Sequence, residues 1–327
     1  AGHPANECFA YGDFRGFEIA RRLCDLRPCG SDGDCLSRSS PWRKSCDAWG
    51  KRVTCVLAKP EKPDVRLSFL PGLADMVYAR DFMGEVGTFV AVDVPNRERI
   101  GDASRLLDEA EYSITIDHHA YPETMSTLTY CNPSMAATSM PIWELSKCMR
   151  VDNSGDIALC AYTGLVTDTG RFQYQNADSR AFASASEMIT AGVDASFVSR
   201  EVYQNRSEAS VLLEACSIKH MKLFCGGQAA ISYVMRRDFE KCHAVKADSE
   251  ALIDTLRSIA GVRVACMLRE QGDSIRGSFR AKDDTDVAAI AASFGGGGHK
   301  AAAGFSIEGP IEGALVRVEK AIEQALK

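Results

Sequence analysis

No stretch of the 327 residues stays apolar for anything near the ~18 residues of a membrane-crossing helix, and the N-terminus lacks the charged-then-apolar pattern of a secretion signal. The 13 cysteines are odd in number and scattered, with none of the paired CxxC spacings of a zinc module. Internal repeats and low-complexity segments are missing as well. Basic residues are outnumbered, 38 Lys and Arg against 44 Asp and Glu, for a net charge of −6. That balance excludes a broad cationic surface for long duplex nucleic acid and leaves room for a short phosphate ligand in a local groove. The three tryptophans, Trp42, Trp49 and Trp143, have no basic residues interleaved with them and are expected in packing rather than as a base-stacking platform. Together these absences point to a soluble globular protein of a reducing cytoplasm.

What is present is a strand–helix rhythm over a chain long enough for two domains, with 46% hydrophobic residues to build their cores. Residues 1–50 carry little periodicity, with one helix expected near 17–26. From there the pattern predicts a strand at 52–58 and a strand at 87–95 that runs into Asp93. A helix at 103–110 leads to a strand opening the stretch SITIDHHAYPE at 113–123, followed by an edge strand at 126–131. Helices are expected at 136–148, with Pro141 near the first turn, and at 154–166, which delivers Asp168. The expected fold is therefore α/β, a parallel sheet with helices on both faces.

Residues 178–206 read as two helices, the second a connector. Beyond it lies a smaller α+β region: a helix at 208–217, strands at 220–225 and 228–235 around a Gly226-Gly227 hairpin, and a helix at 249–259. Strands at 262–269 and 274–281, a helix at 286–293, a glycine run at 295–298 and a closing helix at 311–326 complete it. The domain boundaries expected are 1–192, a connector at 193–207, and 208–327, with a cleft between the two domains.

The chemistry-bearing residues gather at element ends. Asp32 and Asp34 lie in SDGDC, Asp93 ends a strand, Asp117, His118 and His119 follow the next one, and Asp168 ends a helix. Taken singly, each aspartate is better explained as a cap or turn residue. Taken jointly, carboxylates with imidazoles suit Mn²⁺, Fe²⁺ or Zn²⁺ better than Ca²⁺. The run FGGGGHKAAAGF lets backbone N–H groups approach a phosphate or base closely, with His299 and Lys300 as further donors. Cys160, Cys216 and Cys266 are expected in cores, and His220 and His243 in structural or surface roles.

IDHHAYPE, with VDVPNRERIGD before it, VTDTGRF after it and GGGGHKAAAG near the C-terminus, resembles the DHH phosphoesterase family, in the branch with a DHH-associated C-terminal domain. The resemblance covers roughly residues 30–327. It implies hydrolysis of short oligoribonucleotides and of 3′-phosphoadenosine 5′-phosphate, or else of cyclic or linear dinucleotides. It also implies two metal ions, usually Mn²⁺, bridged by Asp93, one taking Asp32 and the other Asp34, His118 and Asp168. Asp117 would support the imidazole of His118, and His119 would face the phosphate or leaving group. Arg280, Gly296, Gly297, Gly298 and His299 would grip the substrate. One position departs from the pattern: Pro28 stands where the family's first motif has a histidine. That leaves one ion short of an imidazole ligand and admits a catalytically impaired nucleotide-binding protein as the rival. The oligomeric state is open, a homodimer included.

Overall fold

The computed structural model describes residues 6–11 (backbone alone), 53–58, 65–119, 124–148, 152–272 and 274–327. Pro28, Asp32, Asp34 and the helix expected at 17–26 lie outside the described residues. Close packing divides the chain into two units, Ala1–Tyr203 and Gln204–Lys327.

In the first unit six strands form one sheet: β1 (Asn6–Tyr11), β2 (Val53–Leu57), β3 (Val77–Tyr78), β4 (Val86–Val92), β5 (Tyr112–Asp117) and β6 (Leu128–Cys131). Their order is β3-β2-β1-β4-β5-β6, and every neighbouring pair is parallel. The sheet grows one way from β1 through β2 to β3 and the other way from β4. In an open sheet of this order, ligands bind beyond the carboxyl ends of the strands where the direction reverses. The central position of β1 corrects the reading of residues 1–50 as lacking a strand. Pairing on both edges supplies what the short and partly polar sequence NECFAY does not announce.

β4 shows why the sheet must be covered twice. Phe89 and Ala91 pack with Val56, Ile100, Leu106 and Leu107, and these last two belong to α1 (Ser104–Glu109). Val90 and Val92 point to the other face, among Ile116, Ile142, Ile157 and Leu165. That second face carries α2 (Ser139–Cys148), α3 (Asp156–Asp168), α4 (Ser179–Thr190) and α5 (Ala195–Ser199). Strand residues alternate faces with a period of two, so an apolar run buries both sides. α4 starts where the Asp178 carboxylate accepts from the backbone N–H groups of Arg180 and Ala181. α5 continues into a π-helical turn, Arg200–Gln204. Val193, Val198 and Val202 lie in the same core as α2 and α3, so the stretch up to Tyr203 packs as part of this unit.

The second unit begins with α6 (Glu208–Lys219) and holds a mixed sheet of β7 (Lys222–Phe224), β8 (Ala229–Val234), β9 (Val264–Gln271), β10 (Ser274–Ala281), β11 (Gly297–His299) and β12 (Ala302–Glu308). The order is β11-β12-β10-β9-β8-β7, antiparallel except for β8 with β9. The β7–β8 hairpin turns at the expected glycine pair, with φ of 64° at Gly226 and 85° at Gly227. Between strands stand α7 (Arg236–Cys242), α8 (Leu252–Ser258) and α9 (Val287–Ala292), and α10 (Ile311–Ala325) closes the chain.

In this unit α7, β11 and β12 were absent from the expected pattern. α7 is short and charged, and it is started by the Asp238 carboxylate accepting from the Met235 N–H at 2.8 Å. β12 opens on alanines, yet buries Ala303, Phe305 and Ile307 in alternation. Among the described residues no helix is long and apolar enough to cross a membrane.

Phe305 anchors the second core. It stacks on Phe279 with centroids 4.7 Å apart and on Phe294 at 5.0 Å. Replacing Phe305 by Ala should destabilise the protein by about 3–5 kcal/mol in denaturant unfolding, whereas Val316→Ala, at an exposed position, should change it by less than about 0.5 kcal/mol.

Candidate metal centre

β4 ends at Val92, and the next residue, Asp93, takes φ of 60°, a left-handed conformation that a non-glycine residue adopts only when its surroundings hold it there. Its N–H donates to the Ile116 carbonyl at 3.0 Å, which pins the bend against the end of β5. One strand over, Asp117 is the last residue of β5 and wholly buried. His118 and Asp93 are buried beside it. Asp168 arrives from the other direction as the last residue of α3.

These elements bring three candidate ligands together. His118 Nε2 lies 3.5 Å from Asp93 Oδ1 and 3.9 Å from Asp168 Oδ2. The ring's other nitrogen, Nδ1, lies 3.2 Å from the Met135 carbonyl. A carbonyl only accepts, so Nδ1 carries a proton and Nε2 is the ring nitrogen that faces the carboxylates.

His119 is held differently: its Nδ1 donates to Asp117 Oδ1 at 2.7 Å. This corrects the expectation that Asp117 supports His118. The Met135 carbonyl orients His118, and Asp117 orients His119. Cys131 donates its S–H to the His119 carbonyl at 3.1 Å. Burial, and secondarily the charge of Asp117, push that thiol above its ordinary pKa, so it serves as a donor rather than as a thiolate ligand.

Two overlapping sets of ligand atoms result, Asp93 with His118 and Asp168, and Asp93 with Asp117 and His119, each within 4.8 Å. A divalent ion held about 2.0–2.2 Å from nitrogen and oxygen donors sets neighbouring donors roughly 3–4 Å apart, as seen around His118. Asp117 Oδ2 is buried with no hydrogen-bond partner, and a buried carboxylate oxygen left so is costly unless a cation offsets it. The residues present therefore fit a divalent metal. Sequence reading missed Thr138, whose hydroxyl donates to Asp93 Oδ1 at 2.7 Å. It lay hidden inside a helix expected from residue 136, whereas α2 starts at Ser139.

In the second unit, β10 and β12 pair Arg280 with Ala302, and β11 and β12 pair His299 with the same Ala302. Cross-strand partners share a face, so two residues distant in sequence flank one alanine. Arg280 donates from Nη1 to the Phe279 carbonyl at 3.0 Å, while its Nε is buried without a partner. The glycines divide. A Cβ on Gly296 would stand 2.2 Å from the Gly304 carbonyl oxygen, and one on Gly298 would stand 2.5 Å from that of Ala302. At these two positions the close approach is made by the chain's own β12. Nothing lies within 4 Å of a Cβ on Gly297.

Residues 226–327 match the DHHA1 domain family. The bifunctional oligoribonuclease and PAP phosphatase NrnA of Thermus thermophilus is 25% identical over 296 residues, covering 90% of this chain and 87% of that protein. The protein of the same name from Bacillus subtilis is 29% identical over 279 residues, 81% and 87% of the two chains. A crystal structure of an exopolyphosphatase-related protein from Bacteroides fragilis matches with a TM-score of 0.80 at 25% identity, over 98% of this chain and 93% of that one. Residues 226–327 are thus a DHHA1 domain, and the chain as a whole is similar to these relatives.

The DHHA1 match takes in Arg280 and the whole glycine hairpin, and the matched relatives extend over the Asp93–His118–Asp168 set of this chain. Gly296→Ala should cost about 1–3 kcal/mol of stability through overpacking against β12. Gly297→Ala should leave stability within about 0.5 kcal/mol of the parent. Thermal unfolding of the two variants side by side checks both.

Proposed function

We propose that this protein hydrolyses phosphate esters of short oligoribonucleotides and of 3′-phosphoadenosine 5′-phosphate, with Asp93, His118 and Asp168 as ligands of a divalent cation. The observation that carries this is the Asp93–His118–Asp168 set, buried but for the partly exposed Asp168, at the carboxyl edge of a parallel sheet. It stands in a chain alignable over most of its length with proteins named oligoribonuclease and PAP phosphatase.

The mixed carboxylate and imidazole set suits Mn²⁺. Asp93, common to both candidate ligand sets, would be shared if two ions bind, and the resemblance would add Asp32 and Asp34 as further ligands. Bound divalent ions supply Lewis-acid polarisation of the phosphoryl group and a nucleophile at neutral pH. The chain's own residues do the rest. Asp117 commits His119 Nδ1–H and so leaves His119 Nε2 to exchange a proton with the leaving oxygen. Residues 208–327 form the substrate-binding domain, in which Arg280 and His299 supply cationic and hydrogen-bonding groups for the nucleotide. Gly297 leaves its backbone open to approach. A reducing cytoplasm suits the described cysteines, for which no disulfide is recorded.

The test is to incubate the full chain with Mn²⁺ and a ribodinucleotide, a 20-mer RNA or 3′-phosphoadenosine 5′-phosphate, following nucleotide and phosphate release. The dinucleotide should be consumed faster than the 20-mer, phosphate should be released from the bisphosphate, and chelation should stop all of it. Equal rates on the two RNAs would remove the preference for short substrates. Absence of turnover on all three would remove the phosphoesterase reading.

A further inference from the structure

His118, Asp93 and Asp168 come from three different elements, yet their supporting hydrogen bonds converge on one short segment, residues 134–138, between β6 and α2. The Met135 carbonyl accepts from His118 Nδ1 at 3.2 Å. The Thr138 hydroxyl donates to Asp93 Oδ1 at 2.7 Å. Asn176 spans the remaining gap: its side-chain amide donates to the Ala136 carbonyl at 3.0 Å and to the Asp168 carbonyl at 3.1 Å. Each of the three ligands is thus tied to the same five residues, directly or through one amide.

The segment is itself braced at its N-terminal end. Asn132 Oδ1 accepts from the Ser134 N–H at 3.1 Å and from its hydroxyl at 2.7 Å, and the Asn132 N–H donates to the Asp117 carbonyl at 3.1 Å. Arg180 Nη2 donates to the Ser134 carbonyl at 2.5 Å. Ala136, Ala137 and Thr138 are all buried, so the segment cannot shift without opening the core beneath it.

We propose that residues 134–138 are the positioning element of the metal centre, and that Thr138 is the positioning residue for Asp93. This rests on the metal-centre reading of Asp93, His118 and Asp168. The terminal torsion of an aspartate is broad, and Asp93 sits on a backbone turn at φ of 60° that does not by itself orient the carboxylate. A short hydrogen bond from a buried hydroxyl to an anionic oxygen does orient it. Groups that aim a ligand in this way commonly hold about 10–100-fold of the metal affinity.

Calorimetric Mn²⁺ binding to the full chain tests this on the parent, Thr138→Val, Thr138→Ser and Asn176→Ala. Thr138→Val keeps the side chain's shape and removes the donor, so its Mn²⁺ affinity should fall by about 10–100-fold. Thr138→Ser restores the hydroxyl and should recover most of it. Turnover of Thr138→Val should return as Mn²⁺ is raised, with KM for the substrate unchanged, a pattern that loss of folded protein would not produce. Mn²⁺ affinity equal to the parent's in Thr138→Val overturns the proposal. Should circular dichroism show that variant unfolded, parent-like affinity in Asn176→Ala overturns it, and weakened affinity there with near-parent affinity in Thr138→Ser supports it. A parent chain that binds no Mn²⁺ overturns the metal-centre reading, and this inference with it.

Discussion

Asp93, Asp117 and His118 are buried together where β4 and β5 end, and a buried carboxylate needs either donors or a cation to offset lost hydration. Much of the first unit can be understood from how that requirement is handled. Asp93 is bent back against β5 through its N–H and held by Thr138. His118 is turned by a backbone carbonyl, and Asp117 spends one oxygen on His119. The other oxygen of Asp117 is left without a protein donor. Such a site is stable as a protein structure and electrostatically incomplete, as a cation-binding site is expected to be before its ion is considered.

The sheet makes this arrangement accessible. Parallel pairing aligns the carboxyl ends of β1, β4 and β5 on one edge, and because both faces are covered by helices, that edge is where polar groups can collect. α3 then runs so that its last residue, Asp168, reaches the same edge. The helix packs by Ile157, Cys160, Ala161 and Leu165, so the position of Asp168 is set by core contacts one to three turns away rather than by anything local to it.

The second unit uses the opposite logic. Its sheet is largely antiparallel, and adjacent strands mostly join through short turns. Position there follows from register: Arg280 and His299 flank Ala302 because β10, β12 and β11 pair in one frame. The glycine hairpin is likewise partly a packing device, since Gly296 and Gly298 make room for the β12 backbone, whereas a Cβ on Gly295 or Gly297 would meet nothing within 4 Å. Part of what looked like a phosphate-binding signature is therefore a requirement of the fold.

The sequence by itself determined the fold class, most strands and helices to within a few residues, and the identity of the Asp93, His118, His119 and Asp168 cluster. Apolar runs, caps and the Gly226-Gly227 pair express local preferences that the structure keeps. Tertiary structure alone decided the rest. β1 became a central strand because two neighbours pair with it, and a strand's own six residues carry little record of partners elsewhere in the chain. Likewise, which group supports which histidine depends on where the residues 134–138 segment packs, so Met135 took His118 and Asp117 took His119. Thr138 could not be recognised from its neighbours, because a lone threonine before a helix looks like any other. It gains meaning only when the sheet carries Asp93, 45 positions earlier, to within a hydrogen bond of its hydroxyl.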